Sequence, residues 1–437
     1  GRYDGSSKFA KDHRYAFFPS VSAAWRISEE NFWQPLKGWW NDMKIRGSYG
    51  SLGNQVMDDL GNFPYLATYG TNSSYNYLIN GSKPVIVKAP GLVAPDFTWE
   101  TVTQMDFGFD ASFLNNRLTG TFDWYRRNTK DMLVAGATLP ATLGASVPKS
   151  NSADMKTIGW ELSLGWNDRL ENGFSYWVKG VLSDYQATIT KYAGNDAGFY
   201  SQSDGDGKYY VGQKIGEIWG YHSNGLFQSD DEAATIDQSE LYAGKWGAGD
   251  VKYEDLDNDG KITKGEETIY NPGDKSIIGN KTPRYQFGIT VGFDYKNFDF
   301  EMFWQGTGKR DYMLSGAQFW GFTSQWDVPY TPALDYWTET NTDAYFPRPG
   351  WQNGGNRVTS DRYLQSAAYG RLKNLTVGYT IPKNLTTKWG ISRLRLYVTG
   401  ENLLTITPLN DAFDPETLGG MTYPINRKVA IGLNLTL

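Results

Sequence analysis

What most restricts this chain is a strict two-residue alternation of apolar and polar side chains, sustained over segments of roughly 9–13 residues. From Trp99 the odd positions read Trp99, Thr101, Thr103, Met105, Phe107, Phe109, Ala111 and Phe113. The even ones read Glu100, Val102, Gln104, Asp106, Gly108, Asp110 and Ser112. The same rhythm sets Ile158, Trp160, Leu162, Leu164 and Trp166 against Gly159, Glu161, Ser163, Gly165 and Asn167. It sets Tyr285, Phe287, Ile289, Val291, Phe293 and Tyr295 against Arg284, Gln286, Gly288, Thr290, Gly292 and Asp294. It returns at the end, where Val429, Ile431, Leu433, Leu435 and Leu437 oppose Lys428, Ala430, Gly432, Asn434 and Thr436. Successive side chains leave a strand by opposite faces, so each segment has one greasy face and one wet face. A tilted strand needs about 9–11 residues to cross hydrocarbon, whereas strands of soluble sandwiches run nearer 5–6.

Composition agrees with such a wall. Aromatic residues make up 16% of the chain, with 17 Trp, 29 Tyr and 22 Phe, which a disordered chain would lack. No apolar run reaches the length of about 18 residues that a membrane helix needs. A net charge of -6 argues against a nucleic-acid partner. With no cysteine there are neither disulfides nor thiolate metal sites.

Eleven strands are expected, at about 14–27, 43–52, 99–113, 117–131, 155–167, 174–188, 283–295, 297–309, 368–381, 391–403 and 427–437. Their connections alternate between short (114–117, 168–173, 296–297, 382–390) and long (53–98, 133–153, 191–282, 311–367, 405–426). Membrane β-barrels have this asymmetry, with tight turns on one side and long outer loops on the other. The fold class is therefore all-β, an antiparallel transmembrane barrel. An odd strand count leaves both edges unpaired, because single-chain bacterial barrels normally have an even number. Gly1 is not an initiator and the opening GRYDGSSK is not a signal peptide, so the chain reads as the C-terminal half of a larger barrel.

Several stretches carry a family likeness. They are residues 4–30 (DGSSKFAKDHRYAFFPSVSAAWRISEE), 43–55 (MKIRGSYGSLGNQ), 218–232 (IWGYHSNGLFQSDDE), 249–263 (GDVKYEDLDNDGKIT), 396–416 (LYVTGENLLTITPLNDAFDPE) and 423–437 (YPINRKVAIGLNLTL). Together they resemble the SusC/RagA-type TonB-dependent transporters of Bacteroidetes outer membranes, from Asp4 to Leu437. The resemblance implies a 22-stranded barrel, of which residues 1–437 would be the second half, in the outer membrane. It also implies an N-terminal plug, a TonB box and a SusD-like surface lipoprotein closing the outer mouth. Plug and TonB box do not occur in this sequence, so energy coupling falls on no residue here. The implied function is active import of oligosaccharides or peptides. A passive porin and a secreted, calcium-stabilised glycan-binding protein are the alternatives; an upstream plug discriminates against the first and a need for detergent against the second.

Two local features bear on chemistry. In the long loop 191–282, Asp255, Asp257, Asp259, Lys261, Thr263 and Glu266 take positions 1, 3, 5, 7, 9 and 12 of a calcium loop, with Gly260 at the sharp turn. The flanks are not helical, so Ca2+ here would stiffen an outer loop. In the loop 311–367, Trp320, Trp326, Tyr330, Trp337 and Trp351 are interleaved with amides and carboxylates, a pattern suited to stacking on sugar rings or peptide side chains. The competing reading is loop-to-loop packing. Trp99, Trp124, Trp166 and Trp304 are expected in interfacial girdles. Ser229 followed by Asp230, Asp231 and Glu232 reads as a helix N-cap with first-turn acids. Only His13 and His222 exist, which leaves little material for a histidine triad, and no P-loop, G-x-S-x-G or H-E-x-x-H is present. Nothing in the sequence points to an enzyme.

Overall fold

The computed structural model describes the chain except residues 56–60, 73–77, 89, 95–96, 136–139, 141, 143, 145–146, 194, 196–197, 200–208 and 419–422. Parts of the expected long connections 53–98, 133–153, 191–282 and 405–426 lie outside the described residues.

Among those described, one antiparallel sheet of eleven strands dominates. Its strands are β1 (Ser20–Trp25), β2 (Trp40–Asn54), β3 (Glu100–Phe113), β4 (Leu118–Ala135), β5 (Lys149–Arg169), β6 (Ser175–Tyr192), β7 (Arg284–Tyr295), β8 (Phe298–Lys309), β9 (Tyr369–Thr380), β10 (Arg393–Ile406) and β11 (Lys428–Thr436). Every strand pairs with its neighbour in sequence, so the sheet is a simple up-and-down meander. All eleven expected strands are present. Five run past their expected ends, β2 and β10 by two or three residues and β4, β5 and β6 to reach 18, 21 and 18 residues. Above the bilayer the outward face need not be apolar, so hydrogen bonding continues after the hydropathy pattern stops. The expected strand 14–27 is split at Pro19; Tyr15–Phe18 pairs with Arg2–Gly5, and only Ser20–Trp25 joins β2.

Register puts like with like across the sheet. One face carries Ile45, Phe109, Phe122, Leu162, Leu182, Phe287, Trp304, Leu372 and Leu404, each opposite the next or nearly so. Nearer the short turns Val178, Val291, Met302, Leu375, Gly400 and Val429 form a parallel row. The other face is polar and cross-linked. Arg46 Nη2 bonds Asp123 at 2.7 Å and its Nε bonds Asp110 at 3.3 Å. Ser48 Oγ donates to Asp106 at 3.1 Å, and Arg127 Nε to Gln104 at 2.9 Å. Arg395 pairs with Asp299 on the same face further round.

A ring of aromatics marks the short-turn end. Trp40 stacks on Phe113 at 5.1 Å, and Trp166 Nε1 donates to Tyr176 Oη at 3.1 Å. Phe174 stacks on Phe293 at 5.5 Å, Phe293 on Phe300 at 5.0 Å, and Phe298 meets Tyr379 at 4.7 Å. Of the four girdle residues expected, only Trp166 stands here. Trp124 and Trp304 lie about seven residues above their turns, roughly 16 Å along the membrane normal for a strand tilted near 45°. That places them in the middle of the wall. Trp99 is 5% exposed and packs against Phe9, Phe18 and Phe97, covered by the N-terminal segment.

Gly292 shows why small residues recur on the wet face. A Cβ there would collide with the Trp177 ring that crosses it. Gly292→Ala is expected to lower stability by about 1–3 kcal/mol through overpacking, read as a shift of the denaturant midpoint of the full barrel.

The sheet is not closed. With eleven antiparallel strands the first and last run in the same direction, and β1 and β11 are both exposed along almost their whole length. Closure therefore takes an odd number of further strands.

Candidate functional site

The long connections leave the meander at one end, and three of them fold on one another there into a second, water-facing core. Its buried members include Tyr221, Leu226, Val251, Tyr253, Ile262, Phe319, Trp320, Phe346, Tyr363, Leu409 and Phe413, drawn from the connections after β6, β8 and β10. Short strand pairs brace it: Glu217–Tyr221 with Lys275–Asn280, Ser223–Leu226 with Val251–Tyr253, and Asp311–Met313 with Leu364–Ser366. Ser229 Oγ accepts from Glu232 N at 3.1 Å, an N-cap on the one-turn helix Asp230–Ala233, and the Glu232 carboxylate accepts from Gln228 N, one residue before the cap, at 2.7 Å. The Gln228 N–H, and then the Lys252 ammonium, hold the Glu232 carboxyl below its ordinary range.

Two polar junctions lock the loop after β6 to the loop after β8. Asp250, 0% exposed, receives Arg348 Nη2 at 2.6 Å and Nε at 3.0 Å, Asn356 Nδ2 at 2.8 Å and Gly247 N at 3.0 Å. Beside it Gly249 adopts φ +83, and a Cβ there would press on the Trp337 ring. At the second junction His222 lies between Asp361 Oδ2 (2.7 Å from Nδ1) and Ser276 Oγ (2.7 Å from Nε2). This is the order of groups in a hydrolytic triad, assembled from three distant segments that the histidine count gave no reason to connect. Ser276, however, sits in the strand ladder opposite Gly220, and Asp361 also accepts from Ser223 N at 3.0 Å. Tyr221 N bonds Thr359 O at 2.9 Å alongside. The arrangement ties loops together.

The calcium-type loop folds differently from its linear pattern. Carboxylate oxygens of Asp255, Asp257 and Asp274 lie within 4.8 Å of one another. Asp259 instead caps its own turn, accepting from Lys261 N at 2.8 Å, and Glu266 is exposed in the turn that follows. Lys261 is exposed and Thr263 donates its N–H to Asp274 Oδ2 at 2.7 Å. Asp274 was not legible as a member, because it follows the motif beyond a Pro-Gly turn; burial to 1% exposure marks it out. Desolvation, then the like charges of Asp259, Asp274 and Asp255, raises the Asp257 pKa. Asp255 is also desolvated, yet the N–H groups of Gly260, Asn258 and Asp259 hold its pKa below the ordinary value. Three converging carboxylate oxygens are the donor type that a hard divalent cation takes.

The five aromatic candidates separate into two groups. Trp320 is 8% exposed, edge-on to Tyr363 at 4.5 Å and near Phe319 at 5.1 Å. Trp337 packs on the same core. Both serve packing, so the expectation that their rings face a substrate is corrected. Trp326, Tyr330 and Trp351 are 83%, 48% and 46% exposed. Hydrogen bonds brace the chain beside two of them: next to Trp326, Asp327 Oδ2 accepts from Ser324 N at 2.7 Å and Thr323 N at 2.8 Å, and Arg357 bonds the carbonyls of Phe322, Gly350 and Trp351.

A sheet with one apolar and one polar face, aromatic at the short-turn end and roofed by loops at the other, defines the wall of a transmembrane β-barrel. Residues 1–403 match the family model described as TonB dependent receptor-like, beta-barrel, and the chain belongs to that family of outer-membrane receptors and transporters. It is 31% identical to TonB-dependent receptor P3 of Formosa agariphila over 99% of this chain and 43% of that protein. It is 28% identical to TonB-dependent receptor SusC of Bacteroides thetaiotaomicron, over 99% of this chain and 41% of that one. The fold is shared with the RagAB peptide transporter at a TM-score of 0.76 and 22% identity, covering 98% of this chain and 44% of the other. The chain thus spans less than half the length of the relatives it matches, and the SusC/RagA-type resemblance read from its sequence holds along it.

Proposed function

We propose that this chain is the wall and loop roof of an outer-membrane importer of oligomeric nutrients, glycans or peptides, energised through TonB and working with a SusD-like surface lipoprotein. The observation that carries this reading is the loop core built at one end of a two-faced wall, with exposed rings beside hydrogen-bonded turns at its surface. Loops that served only to cover a passive pore would not need such a frame. The test is uptake by cells expressing the full-length protein. Accumulation of labelled oligomers that collapses with a protonophore supports the reading, whereas steady ion conduction by the purified protein in planar bilayers points to a porin.

Trp326, Tyr330 and Trp351 are the rings placed to meet substrate or partner. Alanine at Trp326 or Trp351 is expected to lower affinity for the oligomer at least several-fold with the loops still folded. Alanine at Trp320 is expected to cost about 3–5 kcal/mol by cavity formation, read as early proteolysis of the roof.

In the same reading Ca2+ stiffens the roof through Asp255, Asp257 and Asp274. Calorimetric titration should register binding that Asp257→Asn or Asp274→Asn removes and Glu266→Gln leaves intact. Silence at millimolar calcium ends this part of the proposal.

A further inference from the structure

On the apolar face of β4 and β5 the side chains change character towards the loop end. In register, Trp124 stands opposite Trp160, Arg126 opposite Ile158 and Asn128 opposite Lys156, while Lys130 stands opposite Thr101 of β3. Lys156 is therefore the diagonal neighbour of both Arg126 and Lys130, about 7–8 Å away across the ladder. Three cations thus surround Asn128, whose Oδ1 accepts from Arg126 Nε at 3.3 Å. Arg126 and Lys130 are exposed and Lys156 is half-buried. None of the three forms an ion pair among the described residues. Asp154, two residues above Lys156, accepts the Asp131 N–H at 2.9 Å instead. Like charges on neighbouring rungs repel, and an anion set among them relieves that repulsion.

We propose that Arg126, Asn128, Lys130 and Lys156 bind the phosphate headgroup of an outer-leaflet lipid, whose acyl chains lie on the rings and aliphatic side chains below. The inference rests on the membrane-wall reading above. Height along the wall selects this ligand. Arg126 and Lys130 lie eight and twelve residues above Leu118, roughly 19 and 28 Å along the normal for a strand tilted near 45°. Lys156, thirteen residues above Arg169, lies at roughly 30 Å. An apolar band about 25 Å tall ends between them. The Arg126 guanidinium, turned up the strand to Asn128, extends from below that limit towards the headgroups, and the two lysines stand above it. On the rung of Arg126 and the one beneath, Met105, Ile158 and Phe107 are exposed on the same face. Cations directly over exposed apolar side chains match a molecule with phosphate above and hydrocarbon below; a free anion would use only the upper half. The ladder between β4 and β5 is interrupted by a bulge from Thr129 to Met132, where Asp131 adopts φ +56. A phosphate held by both strands joins them beside that break.

Short-range quenching by brominated lipids tests the site in the full-length protein. This chain has no cysteine, so Met105→Cys carries a bimane label beside the cluster. Val398→Cys carries it on the same face of β10, between Val377 and Ile431, away from any of the three cations. The protein is placed in vesicles mixing phosphatidylcholine and phosphatidic acid of the same chains, with one or the other brominated. The label at Met105 should show phosphatidic acid enriched at least ~5-fold over phosphatidylcholine, and the label at Val398 no enrichment. Substituting Arg126→Gln, Lys130→Gln and Lys156→Gln together should abolish the preference. Lys179→Gln, on the polar face opposite Thr290, should leave it unchanged, and so should Lys156→Arg. Inorganic phosphate, with ionic strength matched by chloride, should not displace the lipid. Equal quenching by both lipids at Met105, a preference that survives the triple substitution, or displacement by inorganic phosphate overturns the site. Absence of quenching by either lipid at both labels contradicts the membrane-wall reading itself, whereas quenching without preference contradicts only the lipid site.

Discussion

Arginine in place of Val291 is expected to destabilise the folded barrel by about 2–4 kcal/mol, the cost of a cation on the lipid face near mid-bilayer. Val291 lies five residues above the turn at Lys296 and Asn297, roughly 11 Å along the normal, near the middle of an apolar band about 25 Å tall. Its neighbours in register are Val178 and Met302, so the arginine has no carboxylate beside it in the strands that flank it. Arginine at Thr290, one residue away, points into the polar face between Lys179 and Phe303 and should cost much less. Phe293 lies lower, stacked on Phe174 and Phe300 at the edge of the band, so arginine there loses ring contacts but lies nearer water. Urea titration of the full-length protein in lipid vesicles orders the three. Equal values at Val291 and Thr290 contradict a wall with hydrocarbon on one side.

Removal of the Asp250 carboxylate should unfasten the roof. Asp250→Ala strands a guanidinium, an amide and a main-chain N–H that all point at one buried group, and breaking such a cluster from one side costs about 3–5 kcal/mol. The damage should stay local, because the junction joins two loops and touches no wall strand. Hydrogen exchange is expected to accelerate across Ser223–Leu226, Val251–Tyr253 and the Gly354–Arg357 turn while β7 and β8 keep their protection. Asp250→Asn, which keeps shape and one acceptor, should give a smaller effect. Unchanged exchange in the loops would show that the core of Tyr253, Phe319 and Tyr363 holds without its polar lock.

The wall was legible because the bilayer enforces one rule at every residue. Alternation in 283–295 and 297–309 placed β7 and β8 within a residue at each end, and the asymmetry of connections placed the roof. Legibility ended where that rule stops acting. β4–β6 continue into water as paired strands with no apolar face to show it. Trp99 and Trp166 have the same side chain at the end of a strand, yet one is buried under the N-terminal segment and the other joins the girdle. The site was harder still. Spacing picked out Asp255 and Asp257, which the fold sets together, but put Glu266 where the fold sets Asp274, because spacing counts positions along the chain and the chain reverses at Pro272-Gly273. Rings in the loop 311–367 look alike in sequence. Only the fold separates Trp320, enclosed by Tyr363 and Phe346, from Trp326, held out by the Asp327 turn. The Asp250–Arg348 and His222–Asp361 junctions join residues 98 and 139 positions apart, and no local pattern announces a contact at that range.

The account depends on hydrocarbon and water lying on opposite sides of the same strand, and spin labels placed singly along β7 of the full-length protein in bilayers measure this directly. Labels at Ile289, Val291 and Phe293 should show high collision rates with oxygen and low rates with a water-soluble nickel chelate, and labels at Gln286 and Thr290 the reverse, with a period of two. A flat profile, or nickel access on both faces, contradicts the membrane wall.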